Sequence, residues 1–243
     1  MRLVGPGRAG SALARAAARV GWTVAEPVTR GGSPEGAAAA VDLCVIATPD
    51  AAIAGVAAAI RPGGAVVAHL AGSLGLDVLA GHGRRAALHP LVSLPDPERG
   101  AQALLAGAAF AVAGDSLVER LVADLGGRAF TVRDEDRSLY HAAAVVASNH
   151  LVGLLGQVQR LAGAAGLPLD AYLGLVRGTI DNVAATGPVD SLTGPVARGD
   201  VATVRRHLDA LDGLGPAERH PYLALADECA RLAGRPVPVE AWT

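Results

Sequence analysis

Residues 5–10 read Gly-Pro-Gly-Arg-Ala-Gly, three glycines at G-x-G-x-x-G spacing. They follow Arg2-Leu3-Val4, a strand-like run. They precede Ser11–Val20, where Leu13, Ala17 and Val20 share one helical face and Arg15 and Arg19 the other. The first glycine makes the tight turn from strand to helix, the second lets backbone approach a diphosphate, and the third lets the helix pack on the strand. Amides at the helix start then face the phosphates, where the helix dipole favours negative charge. A chain with 31 glycines has other uses for such a turn. The strand before it and the helix after it make a dinucleotide site the stronger reading, with Gly5, Pro6, Gly7, Arg8, Ala9 and Gly10 as cofactor contacts.

The pattern beyond this motif alternates. Residues 23–28, 41–47 (VDLCVIA), 65–69, 86–88 (closing in His89-Pro90), 110–113 and 128–132 predict strands. Residues 51–60 and 116–125 predict helices, the first N-capped by Asp50. Residues 31–40 read as loop and helix of low complexity, mobile or variable. Continuous apolar strands between helices argue for a mainly parallel sheet covered on both faces. After Gly126-Gly127 the texture changes: the charged run Arg133–Arg137 reads as the solvated start of a long helix over 138–165. Helices over 170–185, 201–211 and 216–232 follow. The expectation is a doubly wound α/β domain of the Rossmann kind over residues 1–132, then an all-helical domain over 133–243.

Composition removes several function classes. Apolar residues make up 51% but aromatics only 3%, so the core must be built from Ala, Val and Leu. A net charge of −2 gives no electrostatic case for nucleic acid or an anionic membrane. All 21 basic residues are arginine, which excludes a Schiff-base lysine or a lysine general acid. Cys44 and Cys229 form neither a disulfide framework nor a metal-ligand spacing, and a cytoplasmic location is expected. The motif at residue 5 leaves no room for a signal peptide, and no apolar run approaches the ~18 residues of a membrane span.

The chemistry-bearing residues gather at predicted strand ends. An NAD site places an acidic residue about twenty positions beyond the glycines, on the ribose 2′-hydroxyl. Here Thr29-Arg30 stands there instead. A guanidinium suits a 2′-phosphate, which favours NADP, while a merely solvated arginine would leave NAD open. Ligands bind beyond the carboxyl ends of strands in such sheets. Thr48-Pro49-Asp50, His69 with Gly72-Ser73, and His89 with Ser93 fall on that edge. Thr48, Pro49 and His69 are read as cofactor contacts and His89 as a catalytic residue, although each of the two strand-end histidines either lines the pocket or simply hydrogen-bonds a nearby loop. On the long helix, Tyr140–Asn149 reads YHAAAVVASN. At about 100° per residue, His141 and Ser148 lie within roughly 20° of each other, with Asn149 about 80° round. Such a trio either serves the chemistry or is a satisfied polar cluster between helices. Farther on, Ser191–Asp200 (SLTGPVARGD) offers Thr193 and Arg198 to a substrate carboxylate, or is a helix connection capped by Asp200.

VGPGRAG, HLAGS, HPLVSL, YHAAAVVASN and LTGPVARGD together carry a resemblance over nearly the whole chain. It resembles the Rossmann-like oxidoreductase family whose C-terminal part is domain of unknown function 2520. That family is similar in layout to pyrroline-5-carboxylate reductases, deazaflavin-dependent NADP reductases and 6-phosphogluconate dehydrogenase-like proteins. The resemblance implies a homodimer through the helical domain. It implies an NADP oxidoreductase acting on a small carbonyl or imine compound held between the domains, with NAD or deazaflavin as open alternatives. Where β-hydroxyacid dehydrogenases of that group carry Lys-x-x-x-Asn, this chain has Val145-x-x-x-Asn149, so their lysine mechanism does not transfer. His141 is the expected proton donor, Asn149 the group orienting the substrate heteroatom, and Ser148 a substrate contact. A non-catalytic NADP-binding protein is the rival expectation.

Overall fold

The computed structural model describes residues 1–235. These divide into two compact units, Met1–His150 and a second from Leu151 onward. The first unit is a six-stranded sheet in the order β1-β2-β3-β4-β5-β6. The strands are β1 (Arg2–Val4), β2 (Leu43–Ile46), β3 (Val66–His69), β4 (Arg85–Pro90), β5 (Ala109–Gly114) and β6 (Arg128–Thr131). Only the β4–β5 pair is antiparallel.

Alternation along the strands builds two cores. Leu3, Leu43, Val45, Val66, Ala68 and Leu88 point to one face, where α1 (Arg8–Arg19), α3 (Pro97–Leu105) and α4 (Leu117–Asp124) cover them. Val4, Cys44, Ile46 and Val67 point to the other and meet Ile53 and Ala57 of α2 (Asp50–Ala59) and Leu79 of a 3-10 turn, Leu76–Leu79. Small residues set the spacing: a Cβ on Gly100 of α3 would lie 2.7 Å from Ala12 Cβ of α1. This is the doubly wound α/β fold expected, followed by a helical C-terminal part.

Residues 23–28 do not form the strand predicted. A single parallel bridge links Val28 to Val4. The Ala25 amide donates to Met1 O at 2.8 Å, and the next donor inward is Val28, to Leu3 O at 2.9 Å. A regular ladder would use residue 27, but Pro27 has no N–H, so the chain spends one extra residue. The segment still flanks β1 on the side opposite β2. The chain therefore switches direction across the sheet between β1 and β2, the place where such sheets open a crevice.

Other expectations need correction. Residues 34–39 make turns and no helix, and they are pinned rather than loose: Arg2 donates to the carbonyls of Gly36, Ala37 and Ala39 at 3.0–3.1 Å. Asp50 is the first residue of α2 and Pro49 its N-cap. The Asp50 carboxylate accepts from Ser73 Oγ at 3.3 Å. The run 133–137 is not wholly solvated, because Arg137 is fully buried.

A helix, α5 (Arg137–Val145), closes the first unit with a π-helical turn, Val146–His150. The helical stretch Asp134–Ala164 contains an 18-residue window of mean hydropathy 1.2, none of it buried. By length and composition it would pass for a membrane span, which corrects the reading of the sequence. Alanine and valine raise its mean although Ser148, Asn149, His150 and Gln157 interrupt the apolar run. The second unit contains α6 (Leu151–Ala164), α7 (Asp170–Ser191), α8 (Pro195–Arg198), α9 (Val201–Asp212) and α10 (Pro216–Leu232). Its core is small: Val204, Leu208, Leu211 and Ala230, with Leu161, Val196 and Tyr222 against them.

Candidate functional site

The glycine loop is shaped by contact. Gly5 adopts φ +84°, and a Cβ there would sit 2.8 Å from Thr48 Cγ2. A Cβ on Gly10 would lie 2.9 Å from both Ala47 Cβ and Gly5 O. Both positions are closed to larger residues by the end of β2. Gly7 differs: nothing lies within 4 Å of the position its Cβ would take. Packing explains the first and third glycines, and open space stands before the second. The first turn of α1 has no acidic residue and no side-chain cap, so its amide dipole is uncompensated. Beside it, Thr48 Oγ1 is buried with no hydrogen-bond partner. An orphaned hydroxyl and uncapped amides at the switch point fit a diphosphate-bridged nucleotide. Pro6 and Ala9 are half-buried within the loop, and Arg8, Thr29, Arg30 and Pro49 are exposed around it. Arg8 and Arg30 have no partner among the described residues.

A second cluster stands on the same sheet edge, after β3 and β4. His89 Nδ1 and Tyr140 Oη lie 2.5 Å apart. The His89 ring meets that of His141 edge-on, centroids 5.8 Å apart. Both imidazoles crowd Gly72, whose Cβ would lie 2.6 Å from His141 Cδ2 and 3.0 Å from His89 Nε2. Burial pushes the His89 pKa down to about 4, assisted by His141 and Arg137, so the ring is neutral near pH 7. Burial pushes the Tyr140 phenol up to about 12.

Arg137 anchors this cluster from behind. Its Nε lies 3.3 Å from Asp134 Oδ1, while both terminal nitrogens are buried without a partner. Asp134 in turn accepts the Leu76 amide at 2.9 Å, which ties the loop after β3 to the start of α5. Sequence reasoning passed over Arg137, Tyr140 and Asp134. Their signal was helical spacing: 137, 140 and 141 lie one turn apart on one face, and 134 one turn before.

Two expectations change. His69 is fully buried, accepts the Ala71 amide at Nδ1 (3.2 Å) and donates from Nε2 to Gly75 O (3.1 Å). With both nitrogens spent inside its own loop, it positions that loop and has none left for a cofactor. Nor does the angular grouping of His141 with Ser148 and Asn149 hold. The π-helical turn widens the helix between them, so α-helical phase does not carry across. Ser148 Oγ lies 2.7 Å from Ala144 O and 2.9 Å from Asn149 Oδ1, with a single hydrogen to give to one of them, and Ser148 and Asn149 are both exposed. In the second unit, Thr193 and Arg198 are exposed around α8, and Asp200 caps α9 through the Thr203 amide. Two surface hollows, one at Glu35, Asp42 and Arg61 and another at Met1, Trp22 and Arg84, open at the amino ends of the strands, away from this edge.

The family described as "Domain of unknown function (DUF2520)" matches residues 108–229. No curated protein matches the chain. Among solved structures, a Bacteroides fragilis protein described as a candidate NADP oxidoreductase is 22% identical with a TM-score of 0.77, over 95% of this chain and 97% of that one. A Thermotoga maritima protein is 25% identical, TM-score 0.74, over 96% and 98%. Pyrroline carboxylate reductase of Plasmodium falciparum, solved with NADP bound, is 14% identical, TM-score 0.64, over 96% and 97%. At these identities the likeness speaks for the fold.

Proposed function

The chain belongs to the DUF2520 family, and from that premise we propose that it is an NADP-dependent oxidoreductase reducing a small carbonyl or imine compound. One observation carries the proposal: an uncapped glycine loop with an orphaned hydroxyl stands on the same sheet edge as a neutral histidine, a tyrosine and a second histidine. Gly5, Pro6, Gly7, Arg8, Ala9 and Gly10 would hold the diphosphate, Thr29 and Arg30 the 2′-phosphate, and Thr48 and Pro49 the ribose and nicotinamide. The reduced nicotinamide, when bound, supplies a hydride to the C=O or C=N carbon.

This chain's own residues supply the proton. His141 is half-buried, and its ring nitrogens have no hydrogen-bond partner among the described residues. An imidazole with both ring nitrogens unengaged is suited to deliver a proton to the substrate heteroatom. His89 stays neutral beside it and assists. Asn149 orients the heteroatom, with Ser148 as a further substrate contact. The Plasmodium neighbour, a pyrroline carboxylate reductase solved with NADP bound, supports this class of chemistry.

We extend the proposal to architecture: residues 1–132 bind cofactor and 133–243 serve substrate binding and homodimerisation. The surface of α7 supports the second part. None of its 22 residues is buried, and Leu175, Ile180, Val183 and Val189 are exposed. A cytoplasmic location, without membrane or nucleic-acid partners, agrees with two free thiols and with polar residues along the apolar helical stretch.

The test is a fluorescence titration with NADPH alongside a turnover panel of carbonyls and imines. Saturable NADPH binding with oxidation on at least one compound supports the proposal, and His141→Ala should then lower turnover at unchanged NADPH affinity. Binding without turnover on any compound establishes the non-catalytic reading instead. No binding of either pyridine nucleotide removes both.

A further inference from the structure

His89 has one nitrogen engaged and one open. Nδ1 faces Tyr140 Oη at 2.5 Å. Nε2 has no partner among the described residues, is not sealed from solvent, and lies beside Gly72, where the absent side chain leaves room. A contact between a phenol and an imidazole can run two ways. If Nδ1–H donated to the phenol oxygen, the Tyr140 hydroxyl hydrogen would need a second acceptor, and the fold provides none among the described residues. If the phenol donates, its hydrogen and the Nδ1 lone pair satisfy each other, and the Nε2–H remains for solvent or a ligand acceptor beside Gly72. A phenol is also the better donor and an imidazole nitrogen the better acceptor. The guanidinium of Arg137, one helical turn before Tyr140, makes the phenol oxygen a poorer acceptor still.

We propose that Tyr140 fixes His89 in the Nε2–H tautomer, so that His89 presents a neutral N–H to the heteroatom of the substrate's C=O or C=N bond. This inference rests on the reductase reading for the identity of the acceptor. The tautomer itself does not. His89 is then an electrophilic catalyst: it donates a hydrogen bond that strengthens as negative charge grows on the heteroatom, and it keeps its proton. The proton that completes the reduction comes from His141. Tyr140 is a positioning residue, since it acts only through His89. A hydrogen-bond donor role for His89 and a proton-delivering role for His141 give separate tasks to the two histidines that face one point above Gly72. The donor role also explains a ring held neutral among His141, Arg137 and Tyr140 of α5, Asp50 of α2 and His69 of β3.

Long-range 1H–15N NMR of the histidine side chains tests this on the full chain without any ligand. At pH 7 the expected His89 pattern is an unprotonated Nδ1 and a protonated Nε2. A protonated Nδ1 overturns the proposal, and that reading needs no variant to fold. In Tyr140→Phe the pattern should relax toward a mixture of tautomers. An unchanged pattern in a folded Tyr140→Phe protein overturns Tyr140 as its cause. With a turnover substrate, Tyr140→Phe should lower kcat about tenfold to a hundredfold, with NADPH affinity within about twofold of wild type. His89→Gln, which keeps an N–H donor, should retain more activity than His89→Ala. Equal losses in the two His89 variants overturn the donor role. Failure of NADPH to bind would instead remove the reductase reading and leave the tautomer result standing.

Discussion

The glycine loop and the histidine cluster stand on the same edge of one sheet, and different forces hold them. The loop is local: six consecutive residues, two of them glycine because the end of β2 leaves no space, shape it almost alone. The cluster is assembled from afar. His89 and Tyr140 are 51 residues apart, and Asp134 reaches 58 residues back to the Leu76 amide. A local site fails through backbone and volume, whereas an assembled one fails through charge and hydrogen bonding. Substitutions and pH should therefore act on the two in separable ways.

The sharpest break is Gly10→Val. Its side chain would be driven into Ala47 and the Gly5 carbonyl. Overpacking of that kind costs about 1–3 kcal/mol, which for a chain of this size lowers Tm by about 2–10 °C. NADPH binding should be lost, because Gly5 and the start of α1 must move. Calorimetry and thermal melts check both, and the His89 tautomer should survive in whatever fraction stays folded.

Acidification should act on the cluster instead. His89 has a folded pKa of about 4, below the 6.5 of a free imidazole. Between those values the unfolded chain binds the proton and the folded chain does not, so stability falls as pH drops through that window. The contribution is fully present above pH 6.5 and gone below about 4, and amounts to about 3 kcal/mol. His69, lowered mainly by its burial, acts in the same direction. Urea denaturation at pH 7 and at pH 4.5 measures the loss, and in His89→Gln the His89 share of it should vanish. A stability independent of pH across this range would mean that His89 is as open as a surface histidine.

The mildest expected effect lies at the rim of the loop. Arg30→Ala removes an exposed, unpartnered guanidinium and should leave Tm unchanged. NADPH affinity should fall about tenfold or more while NADH affinity holds, since only the former offers a phosphate to a charged donor. Equal losses for both nucleotides would place Arg30 elsewhere than at the 2′-phosphate.

This contrast also accounts for what could be read from the residues. Short-range patterns transferred well: Arg2–Val4, the glycine turn and α1, and the apolar runs of β2 and β3 gave the α/β architecture. Where one residue vetoed the pattern, reading failed. Pro27 turned an expected strand into a flanking segment with a single bridge. The π-helical turn at 146–150 separated His141 from Ser148, because phase arithmetic assumes uninterrupted α-helix. The cluster was half visible. His141 stood out as a polar residue among alanines, and His89 as an imidazole at a strand end. Tyr140 and Arg137 did not, because an aromatic and a charge at the start of a helix look ordinary until burial is known. For His69 the strand-end position left two readings open, pocket lining or a bond to a nearby loop, and its own loop consumes both nitrogens.

Arg137 gives the site one more property. A cation with two idle nitrogens shut away from water is destabilising, by several kcal/mol for such groups in general, and folding bears that penalty before any substrate arrives. In return, the surroundings of Tyr140 and His89 are electrically poised from the outset. Charge developing on a heteroatom in front of His89 would meet an attraction already installed by the buried guanidinium.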